Sequence, residues 1–192
     1  MTAGRKAISI NKDWCTPKKL VNVILEFFGG RIDLDPCSSE QSIIPAEVKH
    51  LLPYKDGLKE VWDYHTIYVN PPYGNDKEKG TTIYYWIKKC ADAHERFGSE
   101  VLALIPVAVN TSHWKEYVFG KANSVCFLAD TRLKFIINGN SLNKGAPMAV
   151  AMVYWGKHTE KFYDIFSKLG AVVDLTTLIK KNWQSPIVNK YS

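Results

Sequence analysis

Two consecutive prolines, Pro71 and Pro72, stand just behind the apolar, β-prone run Ile67-Tyr68-Val69 and the residue Asn70. Neither has an N–H and both fix φ near the same value, so a sheet cannot continue through them. The chain must leave its strand stiffly at Asn70. The tetrapeptide Asn70-Pro71-Pro72-Tyr73 then presents an amide side chain, rigid backbone carbonyls and an aromatic ring at the strand's C-terminal edge. In open α/β sheets that edge is where ligands bind. Asn and Pro are also ordinary turn formers, so a plain strand-ending turn explains the same four residues. The surrounding segments have to decide.

Helical and strand patterns alternate along the chain. Thr16 as N-cap, Pro17 at the first helical position and Gly29-Gly30 as terminator predict a helix over about 17–28, with Leu20, Val21, Ile24, Leu25 and Phe28 on one face. A strand 31–35 ends at Pro36, a second helix is expected over 46–51, and the strand 66–69 enters the proline turn. Beyond the polar loop 74–80, Trp86, Cys90, Ala93 and Phe97 mark an amphipathic helix. Further strands are expected at 101–105, 124–128 and 171–175, with helices near 112–119 and 160–169. The runs 132–137 and 148–155 flank a Gly/Asn/Lys-rich loop, 138–145, and read as a hairpin. The pattern predicts an α/β fold, a mostly parallel sheet with an antiparallel hairpin at the edge.

The 192-residue length suits a flexible segment, 1–12, followed by one domain, 13–192. No apolar run is long enough to span a membrane. Cys15, Cys37, Cys90 and Cys126 form no C-x-x-C pair, which argues against a disulfide framework and a metal site and for a reducing cytosol. A net charge of +6 and a 12% aromatic content suit a nucleic-acid partner, because cations neutralise phosphates and rings stack on unstacked bases. A well-filled core explains the aromatics equally.

Three segments precede the turn. Trp14-Cys15-Thr16-Pro17 lies at a helix start, whose unpaired N–H groups favour an anion such as a carboxylate. Asp35-Pro36-Cys37-Ser38 ends a strand with an acid and small polar groups, and Asp56-Gly57-Leu58 is an acidic turn. An Asp at a strand end or turn is more often a cap than a ligand contact. At the turn itself, the Asn70 side-chain oxygen and the Pro71 carbonyl are placed to accept the two hydrogens of a planar amino group. They would draw it toward tetrahedral geometry as charge develops. Tyr73 would stack on a flat substrate.

Taken in order, these segments resemble the phage-type family of DNA adenine methyltransferases that act on the exocyclic amino nitrogen. The resemblance runs from about residue 13 to 155. Trp14, Thr16 and Pro17 resemble the cofactor-carboxylate motif, and Asp35, Pro36, Cys37 and Ser38 the family's form of the first cofactor motif. Asp56 and Gly57 resemble the cofactor-adenine motif, and Asn70, Pro71, Pro72 and Tyr73 match the catalytic motif. Arg132, Lys134 and Phe135, followed by Gly145-Ala146-Pro147, resemble the substrate-side segment.

The resemblance implies a Rossmann-like methyltransferase fold and S-adenosyl-L-methionine as cofactor. The implied substrate is double-stranded DNA with a flipped adenine, methylated in the host cytoplasm. The glycine-rich turn usual in methyltransferases is replaced here by Pro36-Cys37-Ser38-Ser39. No large insertion provides a separate target-recognition domain. Glu47 is a candidate for the cofactor ribose, although a charged surface residue is the plainer reading. Methylation of RNA adenine or of a protein glutamine remains open, as does an inactive DNA-binding module of the same fold. Oligomeric state is not legible.

Overall fold

The computed structural model describes residues 14–73, 75–76, 81–129, 136–137, 140–141 and 148–183. In chain order the elements are α1 (Lys18–Phe28), β1 (Ile32–Asp35), β2 (Ala46–Lys49), β3 (Thr66–Val69), β4 (Asn75–Asp76), β5 (Thr81–Thr82) and α2 (Ile83–Phe97). Next come β6 (Glu100–Pro106), a π-helical turn (Trp114–Val118), β7 (Ser124–Leu128), β8 (Ile136–Ile137), β9 (Asn140–Ser141), β10 (Val150–Trp155), α3 (Thr159–Phe166), β11 (Gly170–Asp174) and α4 (Thr176–Lys180). The short β4–β5 and β8–β9 pairs are separate antiparallel ribbons.

Seven strands make one sheet in the order β11-β7-β10-β6-β3-β1-β2. The half from β2 to β6 is parallel throughout, whereas β10 runs antiparallel to both β6 and β7. β11 is antiparallel to β7 at the far edge. This is a Rossmann-like arrangement with its antiparallel strands gathered on one side. Val150–Trp155 is paired on both flanks inside the sheet, and Ile136–Ile137 pairs with Asn140–Ser141, so the two runs expected to form one hairpin take different partners. Arg132, Lys134, Phe135, most of the loop 138–145 and the Gly145-Ala146-Pro147 segment lie outside the described residues.

Side chains alternate across the strands because successive Cβ atoms point to opposite faces. One face packs Val69, Ala103, Ile105, Ala151 and Val153 with Trp86, Ile87 and Cys90 of α2 and with Trp114. The other packs Tyr68, Leu102, Leu104, Met152 and Tyr154 with Leu20, Ile24 and Phe27 of α1 and Phe162 and Phe166 of α3. Within α1 the innermost aromatic is Phe27 rather than Phe28, in keeping with the 20–24–27 helical spacing. Gly29, at φ 71°, closes the helix in the left-handed conformation. No described helix is long and apolar enough to cross a membrane.

The helix expected over 46–51 is instead strand β2. Ala46–Lys49 alternates between half-buried and exposed and pairs in parallel with β1. Six residues cannot sustain an isolated helix, whereas the open edge of β1 offers a ready ladder. The helix at α4 is not expected from the sequence, which reads there as a basic tail.

Candidate active site at the carboxyl edge of the parallel strands

Strand β1 has β2 on one side and β3 on the other, so the chain order reverses between β1 and β3. Such a switch point opens a crevice at the carboxyl ends of the strands. The turn after β1 carries Asp35, Pro36, Cys37 and Ser38; the turn after β3 carries Asn70, Pro71, Pro72 and Tyr73. The fold therefore brings together two segments separated by more than thirty residues.

The turn after β1 is pinned by the backbone beyond β2. The His50 N–H donates to the Asp35 carbonyl at 3.0 Å, and the Ser38 N–H to the His50 carbonyl at 3.1 Å. Asp35 is only 3% exposed. Its carboxylate accepts long hydrogen bonds from the Cys37 N–H at 3.3 Å and the Ser42 hydroxyl at 3.4 Å. Burial pushes its pKa up to about 6, and the nearby Ser38 hydroxyl, the Cys37 N–H and Lys49 offset that only in part.

The Asp56–Gly57 turn packs directly on this one. A Cβ on Gly57 would lie 1.8 Å from the Pro36 carbonyl oxygen, so only glycine permits the contact. Asp56 accepts the Leu58 N–H at 3.1 Å, capping its own turn, and its other oxygen lies 3.7 Å from Lys59. Among the described residues both buried ring nitrogens of His50 meet no hydrogen-bond partner, and the buried Ser38 Oγ has the Asp35 carboxylate beside it but no well-formed hydrogen bond. Each such atom costs about 1–3 kcal/mol unless a ligand satisfies it. Glu47 is exposed and ion-paired with Arg31 at 2.9 Å, away from these groups, as a surface charge.

The segment before α1 reaches the same crevice. Thr16 is buried, and its hydroxyl shares a 2.7 Å hydrogen bond with the Tyr68 hydroxyl. It therefore does not cap α1; Pro17 occupies the cap position without a side-chain bond. A phenol buried in the core requires a partner, and that demand outweighs the cap. The helix start still leaves the Lys18 and Lys19 N–H groups without acceptors inside the helix.

At the proline turn, the Asn70 Nδ2 donates to the Trp14 carbonyl at 2.6 Å. The Tyr73 hydroxyl donates to the Leu104 carbonyl of β6 at 3.0 Å, and its ring meets Trp14 edge-on at 5.9 Å. Burial drives the Tyr73 phenol far above its ordinary pKa, as it does the Cys37 thiol. A buried neutral thiol is a poor nucleophile. His113 is buried and contacts Thr111 at 3.3 Å, a packing role.

Sequence reasoning missed Trp14 as the partner of Asn70, Tyr68 as the anchor of Thr16, and His50. The first two join residues 56 and 52 positions apart, which no local pattern reveals. His50 lies inside the segment 46–51 read as helix; recognising the alternation in 46–49 would have placed it at a strand's carboxyl end.

A search of curated proteins gave no match. The sequence profile of a protein family described as DNA N-6-adenine-methyltransferase (Dam) matches residues 5–183. With that match spanning nearly the whole chain, the protein belongs to the DNA N-6-adenine-methyltransferase (Dam) family.

Proposed function

We propose that the crevice between β1 and β3 transfers a methyl group from S-adenosyl-L-methionine to the N6 amino group of an adenine turned out of duplex DNA. Family membership implies adenine N6-methylation of DNA in general. The observation that carries the finer reading is the adjacency, at the switch point, of an under-paired buried acid and the Asn70–Tyr73 turn.

The residues present fit the cofactor. Asp35 offers a buried carboxylate to an ammonium, and the start of α1, steadied by Trp14, Thr16 and Pro17, offers N–H groups to a carboxylate. Ser38 Oγ, the His50 ring and the Asp56–Gly57 turn supply polar atoms and a closely packed wall for the adenosine. When bound, the cofactor supplies an electrophilic methyl group on a good leaving group, so a strong general base is unnecessary.

The chain's task is then orientation. Asn70 Oδ1 and the Pro71 carbonyl accept the two amino hydrogens of adenine, and Tyr73 stacks on the base. These neutral acceptors stabilise positive charge as it develops on the nitrogen, and the amino proton leaves to solvent. A base within the helical stack cannot reach this turn, which requires flipping. On this reading Arg132 and Lys134 meet phosphates and Phe135 walls the base pocket. Most affinity then comes from phosphates, so target choice is short or relaxed and binding falls steeply with salt.

Incubation with labelled S-adenosylmethionine and separate DNA, RNA and protein pools, followed by nucleoside analysis, tests the assignment. N6-methyladenine in DNA is expected. Label in RNA or on glutamine would replace the DNA reading, and absence of cofactor binding would make the chain an inactive module. Arg132→Ala and Lys134→Ala should weaken binding alike across DNA sequences and flatten the salt dependence.

A further inference from the structure

We propose that Trp14 is a positioning residue for methyl transfer: its main-chain carbonyl sets the orientation of the Asn70 amide while its ring braces Tyr73. The inference rests on the reading of Asn70 as the acceptor for the target amino group. A backbone carbonyl can only accept, so the nitrogen end of the Asn70 amide must face Trp14, 2.6 Å away. The amide is planar and rigid, and pinning one end turns Oδ1 the opposite way. Were the amide to flip, its NH₂ would confront the amino group it has to polarise.

The same residue meets the other end of the tetrapeptide. Its ring lies edge-on to Tyr73, at an interplanar angle of 84°, and the Tyr73 hydroxyl is tied to Leu104. Trp14 is held in turn by its two C-terminal neighbours. The Cys15 thiol lies 3.5 Å from the Ser39 hydroxyl, and Thr16 is bonded to Tyr68 inside the core. The segment that opens the cofactor helix thus also determines which way the catalytic amide points.

A sharp consequence concerns residue identity at position 70. Aspartate is nearly isosteric with asparagine and retains an acceptor oxygen, but a carboxylate there would set its charge against the Trp14 carbonyl. Only the protonated acid restores a donor. Asn70→Asp should therefore be strongly impaired at neutral pH and should recover, relative to wild type at the same pH, on acidification. Among the described residues, the titratable groups gathered around this turn are Asp35 and Cys37 from the β1 turn, Tyr68, Tyr73 itself, and Cys90 of α2. Among them only Asp35 changes charge in the accessible range, and a carboxylate at position 70 would couple to it, so the recovery is also measured with Asp35→Asn in both backgrounds, where it should persist.

The experiment measures kcat and cofactor KM for Asn70→Ala, Asn70→Asp, Trp14→Ala and Trp14→Phe from about pH 8 to about pH 5. It also measures thermal stability of the cofactor-free proteins over the same range. A carboxyl at position 70, facing the Trp14 carbonyl, would be held above its unfolded pKa, so its protonated form would support folding at low pH and that support would be lost as pH rises. The Tm gap between Asn70→Asp and wild type should accordingly narrow on acidification. Trp14→Ala should lower kcat roughly tenfold, within what a small misplacement of a reacting group costs, and Trp14→Phe should restore it. A pH-independent Asn70→Asp ratio with a constant Tm gap would overturn the proposal, as would an unchanged kcat in Trp14→Ala. Full activity in Asn70→Ala would instead remove the reading of Asn70 on which it rests.

Discussion

Asp33 and Asp35 stand two residues apart on β1, are both buried, and meet opposite environments. Asp33 accepts the Thr66 N–H at 2.9 Å, the Thr66 hydroxyl at 3.0 Å and the Arg31 guanidinium at 2.6 Å. Burial alone would raise its pKa, but the Thr66 N–H, Arg31 and the Thr66 hydroxyl together hold it below the ordinary carboxylate value. Asp35 meets the Cys37 N–H and the Ser42 hydroxyl at long range, with the Ser38 hydroxyl and Lys49 nearby, and burial still wins. Asp33 fastens β1 to β3 and asks for nothing more. Asp35 is left at the crevice with its burial only partly offset, which suits the proposed pairing with a cofactor ammonium.

The contrast is broken most directly by exchanging the two roles. Asp35→Ala should weaken cofactor binding by about 1–3 kcal/mol, roughly five- to 150-fold, while leaving Tm unchanged or raised. Unchanged affinity by calorimetry would take Asp35 out of the site. Asp33→Ala should do the reverse, costing about 1–3 kcal/mol of stability, or several degrees in Tm, with affinity intact. Thermal melts that left Tm untouched would show that the Asp33 network contributes nothing net.

Proton dependence sharpens the contrast further. On the proposed pairing of a cofactor ammonium with ionised Asp35, affinity should rise with pH through about 6 and fall by up to about tenfold per unit below it. Calorimetry across that range should show the slope in wild type and not in Asp35→Asn. For stability the signs differ. The raised pKa of Asp35 favours the fold at low pH, a contribution lost as pH rises to about 6. The lowered pKa of Asp33 favours the fold above the ordinary carboxylate range, a contribution lost as pH falls through its depressed folded value. The smallest effect is expected for Cys37→Ser on the turn beside Asp35, which should retain most activity in a methylation assay. Complete loss with cofactor binding preserved would reopen a covalent role for the thiol.

Legibility tracks the range of the interaction. The strand 66–69 and its proline exit are readable because covalent geometry dictates them, and α1 because its terminators and apolar spacing are local. The motif order suffices to indicate the family. Ala46–Lys49 misleads because its strand character comes from the open edge of β1, a feature of the sheet and not of four residues. Thr16 looks like a cap because its partner, Tyr68, lies across the fold. Asp33 and Asp35 look alike in sequence, and only the side chains that reach them tell them apart.

The reversed strand β10 has a consequence for how the chain is made. It fills the slot between β6 and β7, pairing with both along most of its length. During synthesis β7 therefore emerges before the strand that joins it to the parallel half exists. Until residues 150–155 leave the ribosome, the β6 edge, apolar on both faces, stays open to pairing with other chains. Protease protection of β6 in stalled nascent chains should accordingly appear only once the stall point lies well beyond Trp155, so the two halves of the sheet are joined through its middle before the last strand, β11, closes the far edge.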